Sequence, residues 1–254
     1  MSNKQNPIHA LLAVEPDLKN VATKILNETM NTFAKKSEHF DGIRKSYVSE
    51  DDSATGTNNT ELKEVVTTVA EKIAYSSPAI AAGINAQLSK EQTNSSGTVE
   101  AELAVGDTNF GKLSATALLT LEKEMVKIRK MYELIPTLDP AKTWSMDEVS
   151  GKWKTPETTT FRTGKKEDWI TVSPATKEHP AQVKLVTKDV PVGKYLTSYM
   201  SGKITPTNKS KLLDRVDSLI LAVKRARSLA NQAEVVKCNV GSQIFEYINE
   251  GILK

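Results

Sequence analysis

The sequence predicts an α+β protein, a bundle of long amphipathic helices with a small antiparallel β module between two of them. Three observations carry that expectation. Apolar residues recur at three-and-four spacing over 16–36, 62–88, 114–135 and 206–232. Between the last two, the stretch 144–203 is rich in Thr, Val and Lys and punctuated by turn signals. The chain has 254 residues, 39% hydrophobic and 26% charged, enough to bury a core without staples.

From 16 to 36 the apolar stripe is Leu18, Val21, Ala22, Ile25, Leu26, Met30 and Phe33, with Pro16 suited to a first helical turn. "SEDDSATGTNNTE" at 49–61 has no periodicity and reads as a surface loop. Leu62, Val65, Val66, Val69 and Ile73 form a second helical stripe. It stops at "SSP", where Ser77 caps and Pro78 opens a third helix through Ile80, Ile84 and Leu88. In "TVEAELAV" apolar and polar residues alternate, and "GDTNFGKL" turns the chain back, so a hairpin is expected at 98–113.

Ser114 can cap the next helix, whose face runs through Leu118, Leu121, Met125, Ile128, Tyr132 and Ile135 until "PTLDP" stops it. In 144–203, "SPAT", "EHPAQ", "DVPVGK" and "SGK" divide three or four antiparallel strands, near 158–163, 168–174, 181–188 and 192–200. A long helix follows from Pro206 to about Gln232, with Leu212, Val216, Leu219, Ile220, Val223, Ala226 and Ala230 on one face. It can pair antiparallel with the helix at 114–135. "SQIFEYINEGIL" is a short final helix.

The expected organisation is one domain in three stretches: a helical part over 1–143 with the short hairpin, the β module over 144–203, and 204–254 packing back on the first part. No apolar run approaches the ~20 residues of a membrane span, and the N-terminus does not read as a signal peptide. A cytoplasmic setting is the default, and the single cysteine, Cys238, agrees with it, reading as a small hydrophobe near a helix end. Residues 1–150 hold 16 Lys and Arg against 21 Asp and Glu, a balance of −5, whereas 151–254 hold 18 against 10, or +8. Such a division fits contact with a polyanion through the second part, and it fits equally the docking of the halves on each other or on a neighbouring subunit.

Three strings carry a family likeness: "LEKEMVKIRKMYELIPTLDPAKTW", "EHPAQVKLVTKDVPVGK" and "SGKITPTNKSKLLDRVDSLILAVKRARSLANQAEVVKCNVGSQIFEYI". Together they resemble an uncharacterised family of bacterial and phage-encoded proteins, over most of the chain and best from about 113 onward. The resemblance implies one co-linear unit, cytoplasmic and carried by a phage or mobile element. It brings no activity.

Signals for catalysis are sparse. His9, His39 and His179 are scattered outside any metal-binding spacing, and there is no nucleotide-binding glycine loop and no nucleophile elbow. Asp214 and Asp217 sit one turn apart, a spacing that suits a solvated or salt-bridged helix edge better than a metal. Arg227 falls within the apolar stripe of its helix and needs a partner, Glu122 or Glu124, unless it is aimed at an anionic ligand in an interhelical cleft. No cofactor and no metal are expected.

The β segment holds Lys152, Lys154, Arg162, Lys165, Lys166, Lys177, Lys184 and Lys188 with Trp153, Phe161 and Trp169 interleaved. Cations suit phosphates and aromatic faces suit bases. In "FRTGKK", Gly164 would turn the chain tightly and bring its amides near a phosphate. The same residues also describe a basic hairpin whose edge is protected by lysine. The candidate ligand-binding residues are therefore Arg162, Lys165, Lys166, Trp169, Trp153, Lys184 and Arg227. The function expected is a non-enzymatic binding protein whose basic β module meets a polyanion, nucleic acid first, in a homo-oligomer and without a membrane. Two other classes stay open: a phage or mobile-element assembly protein forming homo-oligomers, and a binder of small anionic nucleotides.

Overall fold

The computed structural model describes residues 8–49, 59–175, 179–232 and 240–249. Cys238, Lys177 and most of the loop expected at 49–61 lie outside them. Helix α1 (Ile8–Lys35) presents Leu26 and Phe33 to the core. It starts ahead of the expected first turn and carries Pro16 in its interior. The carbonyl that Pro16 cannot serve belongs to Leu12, a half-exposed residue that water reaches. Strands β1 (Asp41–Ser49) and β2 (Thr60–Lys63) follow as an antiparallel pair.

Helix α2 (Val69–Asn94) is one helix where the sequence suggested two. Its start is the capping box of Thr68 and Glu71, not the Ser77–Pro78 step. Ser77 instead donates its hydroxyl to the Ile73 carbonyl at 2.7 Å, and the carbonyl orphaned by Pro78 belongs to the exposed Ala74. Leu62 lies in β2, so the apolar stripe of 62–73 is part strand and part helix.

The hairpin β3 (Glu100–Val105) and β4 (Thr108–Ser114) forms where expected, and Ser114 caps α3 (Ala115–Glu133). Helix α4 (Pro206–Ala230), capped by Thr205, lies antiparallel to α3 and is tied to it by Arg129–Asp217 and Arg227–Glu122. Ala101 and Leu103 of the hairpin pack with Leu118, Val223, Ala226 and Ala230 in one core cluster. Phe33, Phe40, Val69, Ile80, Met131 and Ile135 belong to the other. The last described element is α5 (Val240–Asn249).

The β structure overturns the expected fold class. With β5 (Ser145–Asp147), β6 (Lys152–Lys154), β7 (Thr158–Ser173) and β8 (Gln182–Ser201), strands β1 and β2 complete a six-stranded antiparallel sheet. The protein is thus mixed α/β, with five helices among the described residues, and not a long-helix bundle with one small β module. Strand β8 is the spine. It pairs β1 along one edge over 193–201, and β6 and then β7 along the other.

The three or four short strands expected in the β module are two long ones. Two of the turn signals, "SPAT" and "EHPAQ", flank a single reversal between β7 and β8. "DVPVGK" is a β-bulge, in which Val192 is the extra residue between the pairs Arg162–Gly193 and Thr163–Pro191. "FRTGKK" is likewise no turn, because β7 runs straight through it. Gly164 is needed there since a β-carbon would fall 2.7 Å from Cγ1 of the bulged Val192. Beyond the bulge, from Thr163–Pro191 to Ser173–Gln182, β7 and β8 pair, among the described residues, only with each other. These ten pairs make a ribbon ~33 Å long at ~3.3 Å per residue.

The sheet is rooted at its foot. Gly202 N–H donates to the Phe40 carbonyl and Val69 N–H to the Gly202 carbonyl, each at 2.8 Å, and Lys203 bridges Asp41 at 2.6 Å. Away from the foot neither face is covered by a described residue. Among the described residues, no apolar side chain of the six strands is fully buried.

Candidate functional site

Successive side chains of a strand point to opposite faces, so the pairing register assigns each residue of the sheet to a side. Beside Gly193 of β8 stand Arg162 of β7 and Ser49 of β1, and two residues further on Tyr195 stands between Thr160 and Tyr47. The Tyr47 and Tyr195 rings are 5.1 Å apart. Arg162 lies over Tyr47, its Cζ 5.7 Å from the ring centre, and Lys45 Nζ lies 4.5 Å over Tyr195. Each tyrosine thus carries a cation on an uncovered sheet face. Tyr47 donates its hydroxyl to the Val192 carbonyl at 3.2 Å, which fixes its ring across Gly193. These side chains, with Asn59 and Glu61 of the neighbouring edge, line a pocket of about 340 Å³.

The same side continues in both directions. Toward the foot, Tyr199 follows Tyr195 at an interval of four residues, with Lys142 Nζ 3.5 Å from its ring centre and a second hollow beside it. Toward the ribbon tip, the bulge adds its extra residue to β8 alone, so alternation along β7 is unbroken from Arg162 through Gly164, Lys166, Asp168 and Ile170. Their partners on that side are Val190, Lys188, Val186 and Lys184. One face therefore holds Lys45, Arg162, Lys166, Lys184 and Lys188 along with Tyr47 and Tyr195. The carboxylates on it are Glu61, opposite Lys45, Asp168, 3.6 Å from Lys188, and at the foot Asp41, bridged by Lys203. From the Thr197 row to Lys184 this stripe spans ~43 Å at ~3.3 Å per residue, turning gradually with the strand twist.

The register divides the residues singled out from sequence. Arg162, Lys166 and Lys184 share the tyrosine face. Lys165 and Trp169 point from the opposite side, beside Asp189 and Leu185. Trp153 is half-buried at the foot of the sheet, next to Ser201. Arg227 is on α4 with Nη1 2.7 Å from Glu122 Oε2, the partner expected for it, although its N–H directions do not line up as a hydrogen bond. Asp217, in turn, is held by Arg129 through Nε at 2.6 Å and Nη2 at 3.2 Å. That guanidinium keeps the Asp217 carboxyl below its ordinary range.

Sequence reasoning missed Lys45, Tyr47, Tyr195 and Tyr199. A signal was present in "IRKSYVS" and "YLTSY", where cation and tyrosine, or two tyrosines, recur at even spacing and so share a strand face. Among the described residues no group of His, Cys, Asp and Glu is placed to hold a metal ion, and no helix is long and apolar enough to cross a membrane.

Fold and site define a mixed α/β protein with an open antiparallel sheet, one side of which is aromatic and cationic. The chain belongs to a family described as Family of unknown function (DUF7873), which it matches over residues 5–251. No curated protein and no solved structure matches it.

Proposed function

We propose that the protein is a non-enzymatic binder of single-stranded nucleic acid, which runs along the sheet face from Tyr199 and Tyr195 to the ribbon lysines. One observation carries this reading: tyrosines overlaid by cations share a single uncovered face with a line of lysines. Aromatic rings stack on unpaired bases, and spaced cations follow a phosphate backbone. A duplex would offer its phosphates to the lysines but no base face to Tyr47 and Tyr195. The kinship with bacterial and phage-encoded proteins and a cytoplasmic setting are proposed alongside, on the quoted C-terminal strings and the default for a chain with one cysteine. A binder of small nucleotides would need Arg227 aimed into a cleft, and that guanidinium faces Glu122.

The test is fluorescence anisotropy with a labelled single-stranded oligonucleotide and its duplex. Arg162→Glu and Lys166→Glu are compared with Lys224→Glu, an exposed charge reversal on α4. Binding that prefers the single strand and weakens about ten-fold or more in the two sheet variants, but not in Lys224→Glu, supports the reading. Equal losses in all three, or no binding, sink it.

A further inference from the structure

We propose that two copies of the chain close their open sheets into a β-sandwich, stacking the sides that carry Trp169 about a twofold axis running along the ribbon. That side is the reverse of the tyrosine face. It bears Phe161, Trp169, Leu185 and Val183, of which Phe161 and Trp169 are 62% and 65% exposed. A two-stranded ribbon is marginally stable alone, and a sheet with apolar residues on a bare face needs a covering layer.

The identity of the covering layer follows from the register. On this side the rows are Phe161 with Lys194, Thr163 with Pro191, Lys165 with Asp189, Glu167 with Thr187, Trp169 with Leu185 and Thr171 with Val183. Three of them are complementary: Phe161–Lys194 as aromatic with cation, Lys165–Asp189 as cation with carboxylate, and Trp169–Leu185 as apolar with apolar. A twofold axis parallel to the strands lays β7 of one copy over β8 of the other, so every residue meets its own cross-strand partner from the second copy, Glu167 meeting the Thr187 hydroxyl. Lys165 then faces Asp189 of the second copy, and the reverse contact forms by symmetry. Within one chain these two, though opposite each other, form no ion pair, while Lys188 and Asp168 on the other side do. Aligned sheets stack ~10 Å apart with strands within ~30° of one another, so paired residues stay in reach near the axis. The tyrosine faces are left outward on both sides of the sandwich, and the dimer does not depend on what they bind.

The experiment is light-scattering chromatography of the nuclease-treated full-length protein, followed by a mixing test with Lys165→Glu and Asp189→Lys. The expected result is a wild-type dimer, a dissociation constant roughly ten-fold or more weaker for each variant alone, and a dimer regained on mixing the two. Alone, each variant sets like charges over each other, whereas mixed they set opposite charges. Mixing cannot repair a ribbon damaged within one chain, so recovery reports the interface itself. A monomeric wild type, a mass that grows without limit with concentration, a dimer that nuclease dissolves, or a mixture that stays monomeric would overturn the proposal.

Discussion

The Tyr47 ring lies across Gly193 so closely that a β-carbon on the glycine would fall 2.3 Å from the tyrosine hydroxyl. The side chain held there also reaches the Val192 carbonyl and sits under Arg162. One missing methyl thus seats the aromatic half of the proposed binding face at the bulge where the ribbon leaves the sheet. Gly193→Ala would push the free end of Tyr47 aside and leave the backbone in place. The expected stability loss is about 1 kcal/mol, at the low end for overpacking. Oligonucleotide affinity should fall further, because the ring leaves its cation. Chemical denaturation and anisotropy on the same variant separate the two effects, and an affinity equal to wild type would show that the ring position does not matter.

If the proposed binding holds, salt dependence measures how many phosphates the face engages. Single-strand binding follows a slope of about −0.7 per phosphate contact, so the five cations of the stripe together with Lys142 over Tyr199 set a limit of about −4.2 in log affinity against log salt. The expected wild-type slope lies between about −2 and −4.2, with Lys166→Glu making it shallower by about 0.7. A slope near zero would mean that binding, if seen, does not use the lysines.

Helices α1 and α2 cross at Gly83, where a β-carbon would stand 2.5 Å from Ala22 Cβ and 3.1 Å from the Leu18 carbonyl oxygen. Backbone on the far side cannot swing away as a tyrosine tip can. Gly83→Ala should therefore destabilise by about 1–3 kcal/mol through overpacking, less up to ~1 kcal/mol returned by helix propensity. Adding Ala22→Gly removes the nearest obstruction and should recover part of the loss. Urea denaturation of the single and double variants decides this, and a neutral Gly83→Ala would mean that the crossing relaxes freely.

The helices were legible in the sequence where one face is buried. Leu118 and Val223 sit in a fully covered cluster, and their stripes produced α3 and α4 with the right caps or ends. The sheet was poorly legible because, among the described residues, none covers it. In "DGIRKSYVS" few apolar residues alternate, since neither side of β1 enters a core. Gly164, Pro191 and Gly193 mimic turn signals, yet they serve a bulge and two close contacts inside long strands. The site was half legible for the same reason. Composition found Arg162, Lys166 and Lys184, but only register could separate them from Lys165 and Trp169 or bring Lys45, Tyr47 and Tyr195 beside them.

The β5–β6 turn carries its own pH marker. Lys154 Nζ stands 2.5 Å from Asp147 Oδ2, and Ser150 donates its hydroxyl to the same oxygen at 2.6 Å. Lys154 first and Ser150 second hold the Asp147 carboxyl at about 2, down from 3.8. A folded value below the unfolded one means that this contribution to stability is complete above pH ~3.8 and drains away as pH falls toward ~2. Carboxylate titration by NMR should place Asp147 well below the ordinary aspartate range, and Lys154→Met should return it toward that range. A midpoint near 3.8 in the unaltered protein would show that the turn does not hold in solution.

The pair Arg227–Glu122 tests whether the α3–α4 seam is closed by charge. Both side chains are partly covered, Glu122 more than Arg227, at 16% and 33% exposure. Removing only the cation strands a carboxylate among apolar neighbours, which costs ~3–5 kcal/mol for a fully buried pair and less here because water reaches Arg227. We expect Arg227→Met to lose about 1–3 kcal/mol. The double variant Arg227→Met with Glu122→Leu should regain most of it, since two apolar side chains can fill the same seam. A double-mutant cycle from urea denaturation gives the coupling directly. Additive losses would show that the 2.7 Å contact contributes nothing of its own and that Arg227 is free for another partner. Strong coupling would mean that an anion could reach Arg227 only by displacing Glu122.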